Sequence, residues 1–161
     1  MNLYFAPIQG YTDYAFRRIH NQLTGGVEEY YTPFVRWEKG LRNKDRRDVG
    51  RAQCEGVPTV PQIIAKDAAE FNSLCDALQA MGWNRIDLNL GCPFPLQTGA
   101  GRGSGLLPHP DRIASLLKEM ERRGDCLFSV KMRLGLADNE EWQEVLPLLN
   151  DSCISRITRH P

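Results

Sequence analysis

The chain has 161 residues, 42% hydrophobic and 25% charged, the proportions of an ordinary globular protein able to bury one sizeable core. Twenty basic residues balance twenty acidic ones, so overall charge points to no polyanionic partner, and any such argument rests on local clustering. The start lacks the basic and apolar regions of a signal peptide, and no apolar run is long enough to span a bilayer, which leaves the classes without a membrane partner.

Leu3 to Ala6 is a short apolar run closed by Pro7, read as a buried strand. Pro7-Ile8-Gln9-Gly10 is a loop, and Thr12 or Asp13 caps a helix from Tyr14 to Leu23, with Ala15, Phe16, Ile19 and Leu23 at helical spacing and Gly25-Gly26 as the stop. Val27 to Phe34 reads as a second strand, broken by Pro33. From Arg36 to Arg51 seven bases stand against three acids, a net +4, read as a solvated helix or a long excursion that presents either a plain charged face or a phosphate-backbone contact. Pro58 to Ile64 is a third strand with Val60, Gln62 and Ile64 on one face. Asp67 caps a helix running through Met81, with Phe71, Leu74, Cys75 and Leu78 as its buried stripe and Gly82 as its end.

Arg85 to Leu90 is the fourth strand, in which Ile86, Leu88 and Leu90 alternate with Arg85, Asp87 and Asn89. It runs into Gly91-Cys92-Pro93, which cannot continue it, because Pro93 has no amide hydrogen and glycine permits angles other residues resist. A thiol is thereby held on a turn, followed by the glycine-rich stretch from Thr98 to Gly105, where a backbone can approach a ligand closely. Pro108 to Arg123 is a helix with Ile113, Leu116, Leu117 and Met120 inward, ended by Gly124. Cys126 to Leu134 is a fifth strand, with Phe128, Val130, Met132 and Leu134 on one face and Ser129, Lys131 and Arg133 on the other. Asp138 caps a helix carrying Trp142, Val145, Leu146 and Leu149, kinked or shortened by Pro147. Ile154 to Thr158 is a sixth strand, followed by His160-Pro161.

Strand and helix alternate with no hairpin signal, which implies an α/β fold with a parallel sheet and helices outside. A doubly wound sheet and an eight-stranded barrel both fit that count. In either, ligands sit at the carboxyl ends of the strands, and the unusual polar residues fall there: Gln9, Gln62, Asn89, Cys92, Lys131 and His160. Six strands converging on one rim favour the barrel. Five cysteines, dispersed and without Cys-x-x-Cys spacing, suit a reducing, cytoplasmic compartment and give no disulfide framework and no zinc site; Cys54, Cys75, Cys126 and Cys153 read as packing residues. His20 and His109 read as surface or capping residues.

Ala6-Pro7-Ile8-Gln9-Gly10-Tyr11-Thr12-Asp13 with Phe16-Arg17, then Thr32-Pro33-Phe34-Val35-Arg36, Pro61-Gln62-Ile63, Asp87-Leu88-Asn89-Leu90-Gly91-Cys92-Pro93 and Val130-Lys131-Met132-Arg133-Leu134-Gly135, resemble in order and spacing the tRNA-dihydrouridine synthases. The resemblance implies a TIM barrel in which FMN, reduced by NADPH, lies across the carboxyl rim and passes hydride to C6 of a flipped-out uridine in tRNA, while a cysteine protonates C5. It implies that Pro7, Ile8 and Gln9 line the flavin, Gln62 bonds its ring edge, Lys131 sits near its N1–C2 carbonyl, and His160 contacts the flavin or its phosphate side. Asn89 would hold the uracil, Cys92 would be the proton donor, and Arg36, at the head of the basic segment, would meet the tRNA. A thiol suits that role when apolar surroundings keep it protonated, and lysine beside the ring favours an anionic reduced form. The residues also leave open another FMN barrel, such as a dihydroorotate or dihydropyrimidine dehydrogenase, or a piece with no chemistry.

A complete TIM barrel needs about 250 residues. Six β/α units therefore read as the N-terminal part of a barrel, residues 1–161, with the last strands, their phosphate-binding loops and a helical tRNA-binding domain lying outside it. The expectation is weak or no FMN binding and little or no synthase activity for the piece alone, with the first and sixth strands open to edge pairing.

Overall fold

The computed structural model describes residues 2–50 and 54–160. Its seven strands are all parallel to their sheet neighbours, and strand order follows chain order: β1 (Tyr4–Phe5), β2 (Glu29–Tyr31) and β3 (Thr59–Val60) form one sheet, and β4 (Gln62–Ile63), β5 (Arg85–Leu90), β6 (Leu127–Met132) and β7 (Ile154–Arg159) form the other. The third strand of the sequence reading is thus β3 and β4, parted at Pro61. Proline has no N–H to give the ladder, and the Pro61 carbonyl instead accepts from Asp87 N at 2.9 Å. With no reversal of strand order there is no switch point of the doubly wound kind.

Between the strands lie α1 (Tyr14–Thr24), α2 (Asn43–Asp48), α3 (Ala68–Ala80), α4 (Pro95–Thr98), α5 (Pro110–Glu121) and α6 (Trp142–Asn150), with a 3₁₀ turn at Gly103–Leu106. The helices α3 and α5 bury the apolar stripes read from the sequence: Phe71, Leu74, Cys75 and Leu78 on one, Ile113, Leu116, Leu117 and Met120 on the other. They pack with Val145 and Leu149 of α6 against Ile86, Leu88, Leu90, Phe128, Val130 and Met132 in one core. The alternate residues of β5 and β6 therefore face away from the helices, and most of them are polar.

Other expectations are corrected. The first strand is not buried: Leu3 and Tyr4 are exposed. Asp13 does cap α1, accepting from Phe16 N at 3.0 Å, but the helix buries only Arg17; Phe16 packs on Phe5, while Ile19 and Leu23, 55% and 81% exposed, leave the rest of its apolar face uncovered among the described residues. His20 is half-buried, packed on Phe5 and 2.8 Å from the Tyr30 hydroxyl. The basic segment is an excursion followed by a short helix: a small antiparallel turn bridges Trp37 and Leu41, a hairpin the sequence did not signal, and α2 follows; Arg51 lies outside the described residues, as does Pro161. Asp138 is not the cap of α6. Glu141 stands there, its carboxylate accepting from the amides of Leu136, Ala137 and Asp138 at 2.7, 3.2 and 3.2 Å, while Pro147 lies inside the helix without breaking it. Cys153 is exposed rather than packed. No helix among the described residues is long and apolar enough to cross a membrane.

Candidate active site

The polar face of the second sheet is built in rows. Strand register places Gln62, Asp87, Ser129 and Arg156 side by side across β4 to β7, and places Asn89, Lys131 and Thr158 side by side two residues nearer the carboxyl ends. Within these rows Ser129 Oγ donates to Asp87 Oδ1 (2.6 Å), Gln62 Nε2 to Asp87 Oδ2 (2.7 Å), and Asn89 Nδ2 to Gln62 Oε1 (2.7 Å). Asn89 Oδ1 then accepts from the amides of Gly91 and Cys92 at 3.0 and 2.8 Å. Deeper on the same face Arg85 and Arg156 both pair with the buried Glu29 of β2, and Arg156 donates to the Tyr31 hydroxyl at 2.8 Å.

The turn that carries the thiol is held from both sides. While Asn89 takes the Cys92 amide, the Cys92 carbonyl accepts from Ser104 N (3.1 Å) and Ser104 Oγ (3.0 Å). What the glycine-rich stretch approaches is therefore Cys92 itself, and this corrects the reading of that loop as a ligand cradle. Gly103 has φ +59°, and a Cβ there would lie 2.7 Å from the Cys92 carbonyl oxygen. Gly91 is not left-handed, so its angles do not demand glycine. The loop is tied down in turn by Arg102, whose guanidinium pairs with the buried Glu70 of α3, while Glu70 also accepts from Lys66 N at 2.8 Å.

The loop after β1 closes the other side. Gly10, at φ +88°, turns the chain so that the Ile8 carbonyl accepts from Tyr11 N and Thr12 N at 3.0 and 3.1 Å, and Thr12 Oγ1 accepts from Ile8 N at 2.9 Å. Below it the buried Arg17 donates to the Thr12 carbonyl (2.8 Å) and pairs with Asp48 of α2 at 3.3 Å.

These elements enclose a cleft of about 430 Å³ lined by Pro7, Ile8, Gln9, Phe34, Gln62, Asn89, Gly91, Cys92, Pro93, Lys131, Arg133 and His160. Eight of the nine residues picked from the sequence share it: Pro7, Ile8, Gln9, Gln62, Asn89, Cys92, Lys131 and His160, whose amide donates to the Met132 carbonyl at 2.7 Å. The ninth, Arg36, lies outside, ion-paired with Glu38, and Phe34 of the same stretch lines the cleft instead. Sequence reasoning passed over Asp87, Ser129 and Ser104. The first two had a signal, since they alternate with apolar residues on the face that carries Asn89 and Lys131; Ser104 had none.

Burial dominates the electrostatics. It pushes the Asp87 carboxyl up from an ordinary 3.8 to about 6, against the hydrogen bonds from Ser129 and Gln62 and the charges of Lys131 and Arg156. It pulls the Lys131 ammonium below its ordinary value, against the charge of Asp87. Between pH 4 and 6 the folded Asp87 carboxyl holds a proton that the unfolded one has lost, so its contribution to stability falls as pH rises through that window. At 1.36 kcal/mol per unit, Asp87→Asn should therefore gain about 3 kcal/mol relative to the parent between pH 4 and 7. Urea unfolding of both proteins at the two pH values measures this, and a difference that does not change with pH would contradict it.

A family model described as dihydrouridine synthase (Dus) matches residues 4–161. A probable tRNA-dihydrouridine synthase 2 of Bacillus subtilis (strain 168) is 30% identical over 159 residues, covering 96% of this chain and 48% of that protein. A probable tRNA-dihydrouridine synthase of Staphylococcus epidermidis (strain RP62A) is 29% identical, with the same shares. The chain thus spans about half the length of the curated relatives it matches. Among solved structures, a GH18 chitinase from Pseudoalteromonas aurantia superposes with a TM-score of 0.56 over 99% of this chain and 67% of its own, at 12% identity, a likeness of fold alone.

Proposed function

This chain belongs to the dihydrouridine synthase family, and we propose that it supplies the flavin- and uracil-binding half of a tRNA-dihydrouridine synthase, an NADPH- and FMN-dependent reductase of the C5=C6 bond of uridine in tRNA. We read it as the N-terminal portion of a TIM barrel. The sequential parallel strand order and the uncovered part of the apolar face of α1 support that reading. The observation that carries the functional one is the cleft in which Cys92 and Asn89 share a wall with Gln62 and Lys131.

The residues present fit FMN. Gln62 and Asn89 each spend one amide N–H inside the protein and keep a second, and among the described residues no hydrogen-bond partner meets the Lys131 ammonium. Donors grouped in this way suit the carbonyl-rich edges of a flavin and of a uracil. Gln62 and Lys131 would hold the flavin, with Pro7, Ile8, Gln9 and His160 along its flank. When bound, FMN supplies a hydride, drawn from NADPH, to C6 of the base. Asn89 orients the base through its free N–H. Cys92 gives its proton to C5, where negative charge collects as C6 is reduced. The base must leave its stack to reach the cleft, and the exposed bases Lys44, Arg46 and Arg47 of α2 are placed to meet the phosphate backbone. The five cysteines, all unpaired, support a cytoplasmic setting.

The test is a chimera in which residues 4–161 replace the matching half of a full-length family member. Given FMN, NADPH and an unmodified tRNA transcript, it should form dihydrouridine, read by mass spectrometry of the digested tRNA. Turnover of free dihydropyrimidines with no action on tRNA would overturn the reading in favour of another flavin barrel.

A further inference from the structure

The hydrogen-bond chain behind Cys92 has only one possible direction. At one end stand the amides of Gly91 and Cys92, which can only donate, so the atom of Asn89 that meets them is its oxygen. At the other stands Asp87, whose carboxylate once ionised can only accept, so the atom of Gln62 that meets it is its nitrogen. Asn89 Nδ2 to Gln62 Oε1 joins the two halves in the same sense. Every bond therefore points toward Asp87, and aligned bonds of this kind strengthen one another. Asp87 is 1% exposed and its Oδ1 accepts from Ser129, so the anchor is shielded from bulk solvent.

We infer that Asp87 is a positioning residue: its carboxylate fixes which way round the Gln62 and Asn89 amides sit, so that both turn a free N–H to the cleft and Asn89 keeps its oxygen on the Cys92 turn. Without an acceptor at position 87 the Gln62 amide is free to reverse. A reversed Gln62 would face Asn89 with its nitrogen, two donors would meet, and the bond that steadies Asn89 would be lost. What the free N–H groups meet, a flavin or pyrimidine carbonyl, rests on the function proposed above; the orientation of the two amides does not.

The charged and titratable groups that face Asp87 are Lys131 on β6, Arg156 on β7 and Tyr31 on β2, with Gln62 and Ser129 in contact.

The side-chain amide signals of Gln62 and Asn89, followed by NMR in the full chain without flavin, test the assignment. In the parent both should be sharp and should shift together with the Asp87 carboxyl carbon as pH passes through about 6. Asp87→Asn keeps an accepting oxygen, so it should preserve the two signals and abolish the pH step. Asp87→Leu should broaden or move both signals and, in a flavin titration of the chimera, weaken FMN binding by about tenfold, the worth of roughly one hydrogen bond. A folded Asp87→Leu protein with parental amide signals would overturn the proposal. So would parental signals that ignore pH, a result that stands even if Asp87→Leu does not fold. If the chimera that carries residues 4–161 binds no FMN but the amides respond as described, the positioning role holds and the flavin reading fails.

Discussion

On the function proposed above, replacing Cys92 by alanine in the chimera should lower dihydrouridine formation by roughly 10²–10⁴-fold, the usual worth of a positioned general acid, while NADPH still reduces the bound flavin at its parental rate. The split between the two half-reactions follows from where the thiol sits. Cys92 is only half-buried, on a turn beyond the strand, and its side chain makes no hydrogen bond that holds another cleft residue in place. Its backbone, by contrast, is fixed at both the amide and the carbonyl, and alanine keeps both bonds. The variant should accordingly unfold within about 1 kcal/mol of the parent. In the tRNA-active chimera, stopped-flow flavin bleaching and mass spectrometry of the tRNA separate the two steps; equal loss of both would remove Cys92 from the proton-donor role.

Gly103→Ala should be among the most damaging single methyl groups that can be added to this chain. The residue sits at φ +59°, and the new Cβ would lie 2.7 Å from the Cys92 carbonyl oxygen and 3.0 Å from the Cys92 Cβ. A left-handed non-glycine residue costs about 1–3 kcal/mol and overpacking a similar amount, so a loss of about 2–6 kcal/mol is expected. The neighbour that must give way is backbone rather than a flexible side-chain tip. Relief therefore comes by moving the thiol, and uridine reduction should fall together with stability. Gly124→Ala is the control, because a Cβ at Gly124 meets nothing within 4 Å and its φ is not positive. Equal urea midpoints for the two variants would show that the loop yields more readily than its contacts imply.

Legibility in the sequence tracked the kind of force at work. Helices α3 and α5 were readable residue by residue, since each has an apolar stripe that meets one core and a clear stop. The strand face bearing Asn89 and Lys131 was readable too, because a period of two separates polar from apolar side chains wherever only one side meets helices. The same pattern says less at α1, where Phe16, Ile19 and Leu23 have helical spacing but only Phe16 meets an aromatic neighbour, Phe5, while Ile19 and Leu23 stay exposed. Periodicity records that a face is apolar, not what it meets. The glycine-rich loop was misread for a related reason: composition says that something approaches closely, and here that something is the protein's own Cys92. Arg36 pairs with Glu38 and lies outside the cleft, which its neighbours in sequence do not declare. Asp87 went unused because a carboxylate in a strand declares its value only when register shows Gln62 and Ser129 on either side.

The bonds from Arg156 to Glu29 and Tyr31 close loops of 127 and 125 residues. Closing such a loop costs chain entropy before any contact repays it, and contacts this distant in sequence slow folding. The order of assembly follows. The β5–β6 pair and its helices can condense early on short loops, whereas Glu29 waits for one of its two arginines until β7 has been made. During synthesis, then, the half of the cleft that carries Cys92 can form ahead of the clasp that draws the first strands toward the last.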